Sequence, residues 1–197
     1  MNELAGAKSG DVNGNRNRTM VYYSEMESLI GSLTLCATDL GVCLIRFGSF
    51  AETQESAGKW LKAQFGEVEL SYADGELAEV EHQLAEYFAG RLRVFTLPLD
   101  MRGTPFQRQV WEALRTIAYG ESASYKDMAL AVGNGQAVRA VGGANNRNPL
   151  PVIVPCHRVI GAAGALVGYA GGLSIKSRLL ELEAEQSARD QAGIYLF

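Results

Sequence analysis

The hydrophobic period of this chain changes near residue 100, and that change limits the folds open to it. Before it, short β-rich runs alternate with turn residues: Val21–Tyr22–Tyr23, Leu33–Thr34–Leu35 and Val42–Phe47, parted by Gly31–Ser32 and Asp39–Leu40–Gly41. This is the punctuation of an antiparallel meander. Helices are expected over Thr53–Phe65 and Gly75–Ala89, the second with Leu77, Val80, Leu84, Tyr87 and Phe88 on one face and Gly90 as its stop. Val94–Leu99 reads as a further strand closing the sheet.

After residue 100 the period is helical. Thr104 caps a helix through Tyr119, in which Phe106, Val110, Leu114 and Ile117 form an apolar stripe ended by Gly120. Ser124 caps Tyr125–Val132, Gly133–Asn134–Gly135 makes a tight turn, and Gln136–Ala144 is a helix with Val138 and Val141 inward and Arg139 outward. Two short helices on a Gly-containing turn match a helix-turn-helix, a pattern that ordinary helical hairpins share. A Gly-rich stretch from Gly161 to Gly172 leads to a last amphipathic helix over Ser174–Glu185. The fold class is therefore α+β, in two small units: a strand-rich α/β unit over 20–100 and a mainly helical unit over 101–186. A Gly/Asn-rich flexible tail (1–19) precedes them, and a tail (187–197), whose Ile194–Phe197 is expected to pack on the body, follows.

With 197 residues, 47% hydrophobic and 20% charged, the composition is globular and excludes wholesale disorder. No apolar run nears the roughly 18 residues of a membrane span, and no secretory signal opens the chain. Three cysteines without CxxC spacing make a disulfide framework a poor fit, so a reducing cytoplasmic setting is expected. The net charge of −4 argues against a polyanion partner until it is divided along the chain. Residues 101–184 hold nine Lys/Arg against five Asp/Glu, a net of +4, while the rest hold nine against seventeen, a net of −8. That asymmetry points to nucleic acid for the second unit, although many enzymes are lopsided without such a partner.

Reactive positions are few. His82 sits in a polar helical stretch, where solvation is the simplest reading, and Cys36 and Cys43 lie in apolar strands, where cysteine acts as a small hydrophobe. Cys156 differs: it ends the apolar run Val152–Ile153–Val154–Pro155 and precedes His157 and Arg158. Cationic neighbours lower a thiol pKa, and a nearby imidazole can take the thiol proton directly or through one water. A Cys-His pair is nonetheless more often structural than catalytic, and on an extended strand the two side chains point apart. Metal binding is a weaker reading, because four ligands at workable spacing are missing around Cys156.

Residues Thr104–Glu183 resemble the O6-alkylguanine-DNA alkyltransferase family. The likeness rests on Phe106–Trp111, Gly120–Tyr125, Ala137–Ala144, the block Asn148–Gly161 with its Pro155–Cys156–His157–Arg158, and Gly168–Leu173 with Lys176; it extends more loosely to the first half. The resemblance implies a suicide repair protein that moves an alkyl group from O6-alkylguanine, and from O4-alkylthymine, in double-stranded DNA onto Cys156. His157 would be the base through a water, Glu183 would orient it, and Asn148 would hold the active-site turn. Tyr125 would contact the guanine and give its N3 a proton. The Val159 and Ala170 backbones would read the base edge, with Tyr169 and Gly171 completing the pocket.

Arg139 would fill the stack after the nucleotide is flipped. The recognition helix would enter the minor groove, the small Ala137, Ala140, Gly142 and Gly143 would let one helix face approach the sugar-phosphate backbone closely, and Lys176 would be among the DNA contacts. The family implies no cofactor and a monomer. Some members carry a structural zinc, but Cys43 and Thr38 stand where His and Cys ligands would be, so no metal is expected. Gly171, where some relatives have a bulky aromatic, implies room for larger alkyl groups. Competing classes are an alkyltransferase-like lesion binder, which would lack the acceptor cysteine, a helix-turn-helix regulator, and a Cys-His hydrolase.

Overall fold

The second strand of the sheet is buried along its whole length because both of its faces are covered. In the computed structural model, which describes residues 18–192, β1 (Thr19–Met26), β2 (Leu33–Thr38), β3 (Gly41–Phe47) and β4 (Val68–Tyr72) form one sheet in the order β3-β2-β1-β4. The first three strands are the expected antiparallel meander; β4 joins β1 in parallel, with Val21 opposite Leu70. Helix α1 (Phe50–Phe65) lies on one face, where Val21, Cys36, Cys43, Leu44, Ala57 and Leu61 form a small core. On the other face Leu33, Leu35, Ala37 and Ile45 join the larger core, which takes in α2 (Ala78–Phe88) and continues into the second half of the chain. The expectations for 1–17 and 193–197 fall outside the described residues.

Val94–Leu99 is not a strand. It makes a single bridge, Leu99 to Val42, with the Val42 amide donating to the Pro98 carbonyl at 3.0 Å. Pro98 has no N–H to give a ladder, and Val94 stands 72% exposed. The sheet is instead completed by β4, whose Val68–Glu69–Leu70–Ser71–Tyr72 alternates apolar and polar residues in strand fashion.

The second half begins with α3 (Pro105–Leu114). Thr104 and Gln107 close a reciprocal capping box, and Pro105 occupies the first turn, where its missing N–H costs nothing. The helix stops five residues before Tyr119, its end tightening into i→i+3 bonds at Thr116 and Ile117. Ser124 caps α4 (Tyr125–Ala131) with Asp127, and α5 (Val138–Asn146) follows the turn. An Asn134 side chain bonded to the Gln136 amide delays the start of α5, and Val138, expected inward, is 37% exposed at its open first turn while Val141 is buried. The Trp111 indole donates to the Ala144 carbonyl at 2.9 Å and locks α3 to the end of α5. β5 (Ala123–Ser124) and β6 (Val159–Ile160) form a short parallel pair. The last helix, α6 (Leu173–Gln191), runs six residues beyond its expected end and so through much of the segment read as a tail.

Candidate active site

Cys156 opens a 3₁₀ turn, Cys156–Arg158, and not an extended strand. The turn is set by the chain before it. Asn148 donates to the Val154 carbonyl at 2.8 Å and accepts from the Leu150 amide at 3.0 Å, so one side chain spans the loop. Within that loop Val152 holds φ at 75°, a costly conformation for a β-branched residue that persists because its surroundings fix it. Asn145 on α5 donates to the Cys156 carbonyl, and the Ile45 amide of β3 donates to Pro149, so both halves of the chain grip the segment.

The turn carries His157 and Arg158 inward to α6, where Glu183 is fully buried. Glu183 accepts from His157 Nε2 at 3.0 Å, from Arg158 Nη2 at 2.8 Å and Nε at 2.9 Å, from the Tyr87 hydroxyl at 2.7 Å and from the Gly120 amide at 3.1 Å. Burial alone would raise this carboxyl, but the bonds from His157 and Arg158 and their charges outweigh it and hold Glu183 at about 2. Burial lowers His157, so the imidazole is neutral and the ion pair is the one between Arg158 and Glu183. With Nε2–H engaged by the carboxylate, the lone pair sits on Nδ1, which is buried and has no partner among the described residues.

Cys156 is 3% exposed. Burial pushes its thiol up to about 11, against the weaker downward pull of the Asn148 amide, the Lys176 ammonium and Tyr169. The expected lowering by cationic neighbours is thus overruled by desolvation: the resting group is a thiol, and its proton must leave as part of the reaction. Cys36 and Cys43 are buried on the far side of the sheet from this site, with Cys36 pushed up to about 12 and Cys43 also raised, both first by burial.

These shifts fix a stability profile. Unfolded thiols ionise above their ordinary value of 9 while the folded ones keep their protons, so stability falls as pH rises from 9 toward 11. Unfolded histidine takes up a proton below 6.5, which folded His157 resists, and stability falls below that value. The depressed Glu183 adds a further loss as pH drops from 4.5 toward 2. Urea midpoints are expected to plateau between 6.5 and 9; a midpoint that climbs with alkali would contradict the buried, neutral thiols.

Residues 21–101 match the family model described as "6-O-methylguanine DNA methyltransferase, ribonuclease-like domain", and residues 105–185 match "6-O-methylguanine DNA methyltransferase, DNA binding domain". A Mycobacterium leprae protein named methylated-DNA–protein-cysteine methyltransferase is 47% identical over 85% of this chain and 94% of its own. The chain belongs to the O6-methylguanine DNA methyltransferase family. A constitutive methyltransferase of that name from Bacillus subtilis is 61% identical over 54% of this chain and 66% of its own. A crystal structure of Mycobacterium tuberculosis OGT in complex with DNA, 42% identical, covers 84% of this chain and 94% of that one with a TM-score of 0.72.

Within this methyltransferase fold the expected site residues divide into three groups. Cys156, His157, Glu183 and Asn148 are brought together. Tyr125 and Tyr169 lie near Cys156, with Ala170 and Gly171 following Tyr169 in the chain: the Tyr125 hydroxyl reaches the Val167 carbonyl at 3.4 Å, and Tyr169 packs at 5.7 Å on Phe47 of β3. Ala137, Arg139, Ala140 and Gly142 lie on or beside α5, with Arg139 and Ala140 exposed.

One expectation needs correction. Lys176 is fully buried and donates to the Val159 carbonyl at 2.6 Å and the Val167 carbonyl at 2.9 Å, so it ties down the pocket loop and is withdrawn from DNA; the Val159 carbonyl is correspondingly occupied. A Cβ on Gly171 would meet the Phe47 ring at 2.8 Å, so this position takes no larger side chain unless Phe47 shifts. Tyr87 and Arg158 were missed as members of the Glu183 cluster. Arg158 follows His157 directly and could have been noticed, but nothing local marks Tyr87, which reads as one more core aromatic on α2. Among the described residues no cluster of His, Cys, Asp or Glu is arranged to hold a metal, and no helix is long and apolar enough to cross a membrane.

Proposed function

We propose that this protein repairs alkylated DNA directly, moving the alkyl group from O6-alkylguanine irreversibly onto its own Cys156. The observation that carries the reading is a buried thiol beside a neutral imidazole whose far nitrogen is held by an ionised carboxylate. DNA binds along α5 through its minor groove, and the lesion is flipped into the pocket at a cost of a few kcal/mol, with Arg139 entering the vacated stack. Cys156 passes its proton through one water to His157 Nδ1, and Glu183 stabilises the imidazolium that forms. The thiolate attacks the alkyl carbon, an S–C bond forms, and the C–O6 bond breaks with its electron pair passing to the guanine. The Tyr125 hydroxyl, kept neutral by burial, gives its proton to N3 as the base leaves. O4-alkylthymine follows the same route.

The thioether does not hydrolyse, so each molecule reacts once. On this reading the protein acts on double-stranded DNA as a cytoplasmic monomer without a cofactor, with units 20–100 and 101–186 as support and reaction centre. Incubation with DNA carrying O6-methylguanine is expected to raise the intact mass by one methyl group, mapped to the Cys156 peptide. Methylation found on Cys36 or Cys43, or turnover of an ester with Cys156 unmodified, would refute the reading.

A further inference from the structure

A groove of about 530 Å³ opens between the two halves, with Asn148 and Ala170 of the Cys156 site in its wall. Its walls carry Arg46 from β3, Arg102 from the linker and Arg147 from the end of α5, with Trp60, Gln64 and Asn146 between them and no carboxylate. Arg102 is neutralised by Asp100 at 2.6 Å. The other two are not: among the described residues Arg46 donates only to the Ile45 carbonyl at 3.4 Å and Arg147 only to the Gly143 carbonyl at 3.1 Å, and neither forms a salt bridge. Arg46 is partly desolvated, which disfavours its charge, and its guanidinium lies 6.0 Å from the Trp60 ring. Two uncompensated cations facing one acid-free groove, on a chain of net charge −4, are matched to an anion from outside.

The groove is continuous with the site, since Asn146 and Ala170 belong to its wall and a Cβ on Gly168 would lie 3.6 Å from Asn146 and 3.9 Å from the Tyr125 hydroxyl. Arg139 and Arg147 are eight residues apart along α5, about 12 Å at the helical rise.

We infer that this groove holds the phosphodiester backbone of the DNA strand carrying the lesion, which makes Arg46 and the first half of the chain part of the DNA-binding surface. The inference rests on the proposed function. Guanidinium forks suit phosphate oxygens, and Trp60 and the amides of Gln64 and Asn146 offer the stacking and hydrogen bonds that accompany a tracked strand.

The test measures affinity for an unmodified duplex against salt, and methyl transfer from two donors, an O6-methylguanine duplex and the free O6-methylguanine base. Each lost phosphate contact removes about 0.9 from the slope of log affinity on log salt. The Arg46→Gln/Arg147→Gln variant is expected to lower that slope by about 1 to 2, to weaken duplex binding several-fold, and to slow transfer from the duplex at limiting protein but not from the free base. Arg46→Lys/Arg147→Lys restores the slope, and Lys59→Gln, on an exposed pair with Glu55, leaves it at the parent value. The exposed Arg147→Gln change alone gives half the effect even if the double variant folds poorly. A double-variant slope equal to the parent's, an equal fall in Lys59→Gln, or no rescue by lysine overturns the groove inference while transfer to Cys156 stands. A parent that takes no methyl group from either donor defeats the proposed function and this inference with it.

Discussion

The Glu183→Gln variant is expected to lose both stability and methyl transfer. Glu183 is fully buried and, among the described residues, is the sole carboxylate for Arg158, itself 6% exposed. Removing its charge leaves a guanidinium in the interior with no counter-ion, a change that costs about 3–5 kcal/mol. Against a typical total of 5–15 kcal/mol, that leaves a marginal protein. The amide also sets its own N–H groups against the donors of Tyr87, Arg158 and Gly120, so at least one bond is lost outright. On the chemical side the imidazole loses the carboxylate that fixes its tautomer and supports its charge, which is expected to slow transfer by about 10²–10⁴-fold. Urea unfolding with an unchanged slope and a lower midpoint, together with single-turnover rates on lesion DNA, checks both halves. Tyr87→Phe separates them: it keeps the charge pair and deletes one bond to a charged acceptor, about 1.5–3 kcal/mol. A Glu183→Gln protein as stable as its parent would show that Arg158 is neutralised elsewhere.

The Cys156→Ser variant is expected to transfer nothing while keeping its fold and its DNA affinity within a few-fold of the parent. A serine hydroxyl holds its proton far more tightly than a thiol, and the same neutral His157 cannot remove it at neutral pH. The substitution touches neither α5 nor the Glu183 cluster, so melting temperature and duplex binding should stay close to those of the parent. Any methyl group recovered on the variant protein would move the nucleophile elsewhere, and Cys36 and Cys43, 1% and 0% exposed beneath α1, are poorly placed to receive it.

What could be read before the structure depended on how far each feature reaches along the chain. Capping signals are local, so Thr104 with Gln107 and Ser124 with Asp127 marked two helix starts correctly. The Cys156–His157 pair was legible because the two are adjacent, and Glu183 entered only through resemblance. Tyr87 could not be read: its hydroxyl meets Glu183 across 96 residues, and its spacing on α2 is that of any core residue. Lys176 was misread for the opposite reason. A lysine beside a DNA-binding segment has the chemistry of a phosphate ligand, and only the fold reveals that two carbonyls claim it. Val94–Leu99 has strand composition but a proline where a ladder donor is needed, whereas β4 carries a five-residue apolar–polar alternation that is legible but short, and its pairing with β1 identifies it.

The shielding of Cys156 bears on how a single-use protein survives until it is needed. Peroxides, disulfides and soluble electrophiles consume cysteines in proportion to ionised, accessible sulfur. A buried sulfur held in the protonic form beside Tyr169 offers them almost none. Premature inactivation is therefore slow, and on the proposed function the one reaction each molecule performs is reserved for a base presented to Cys156.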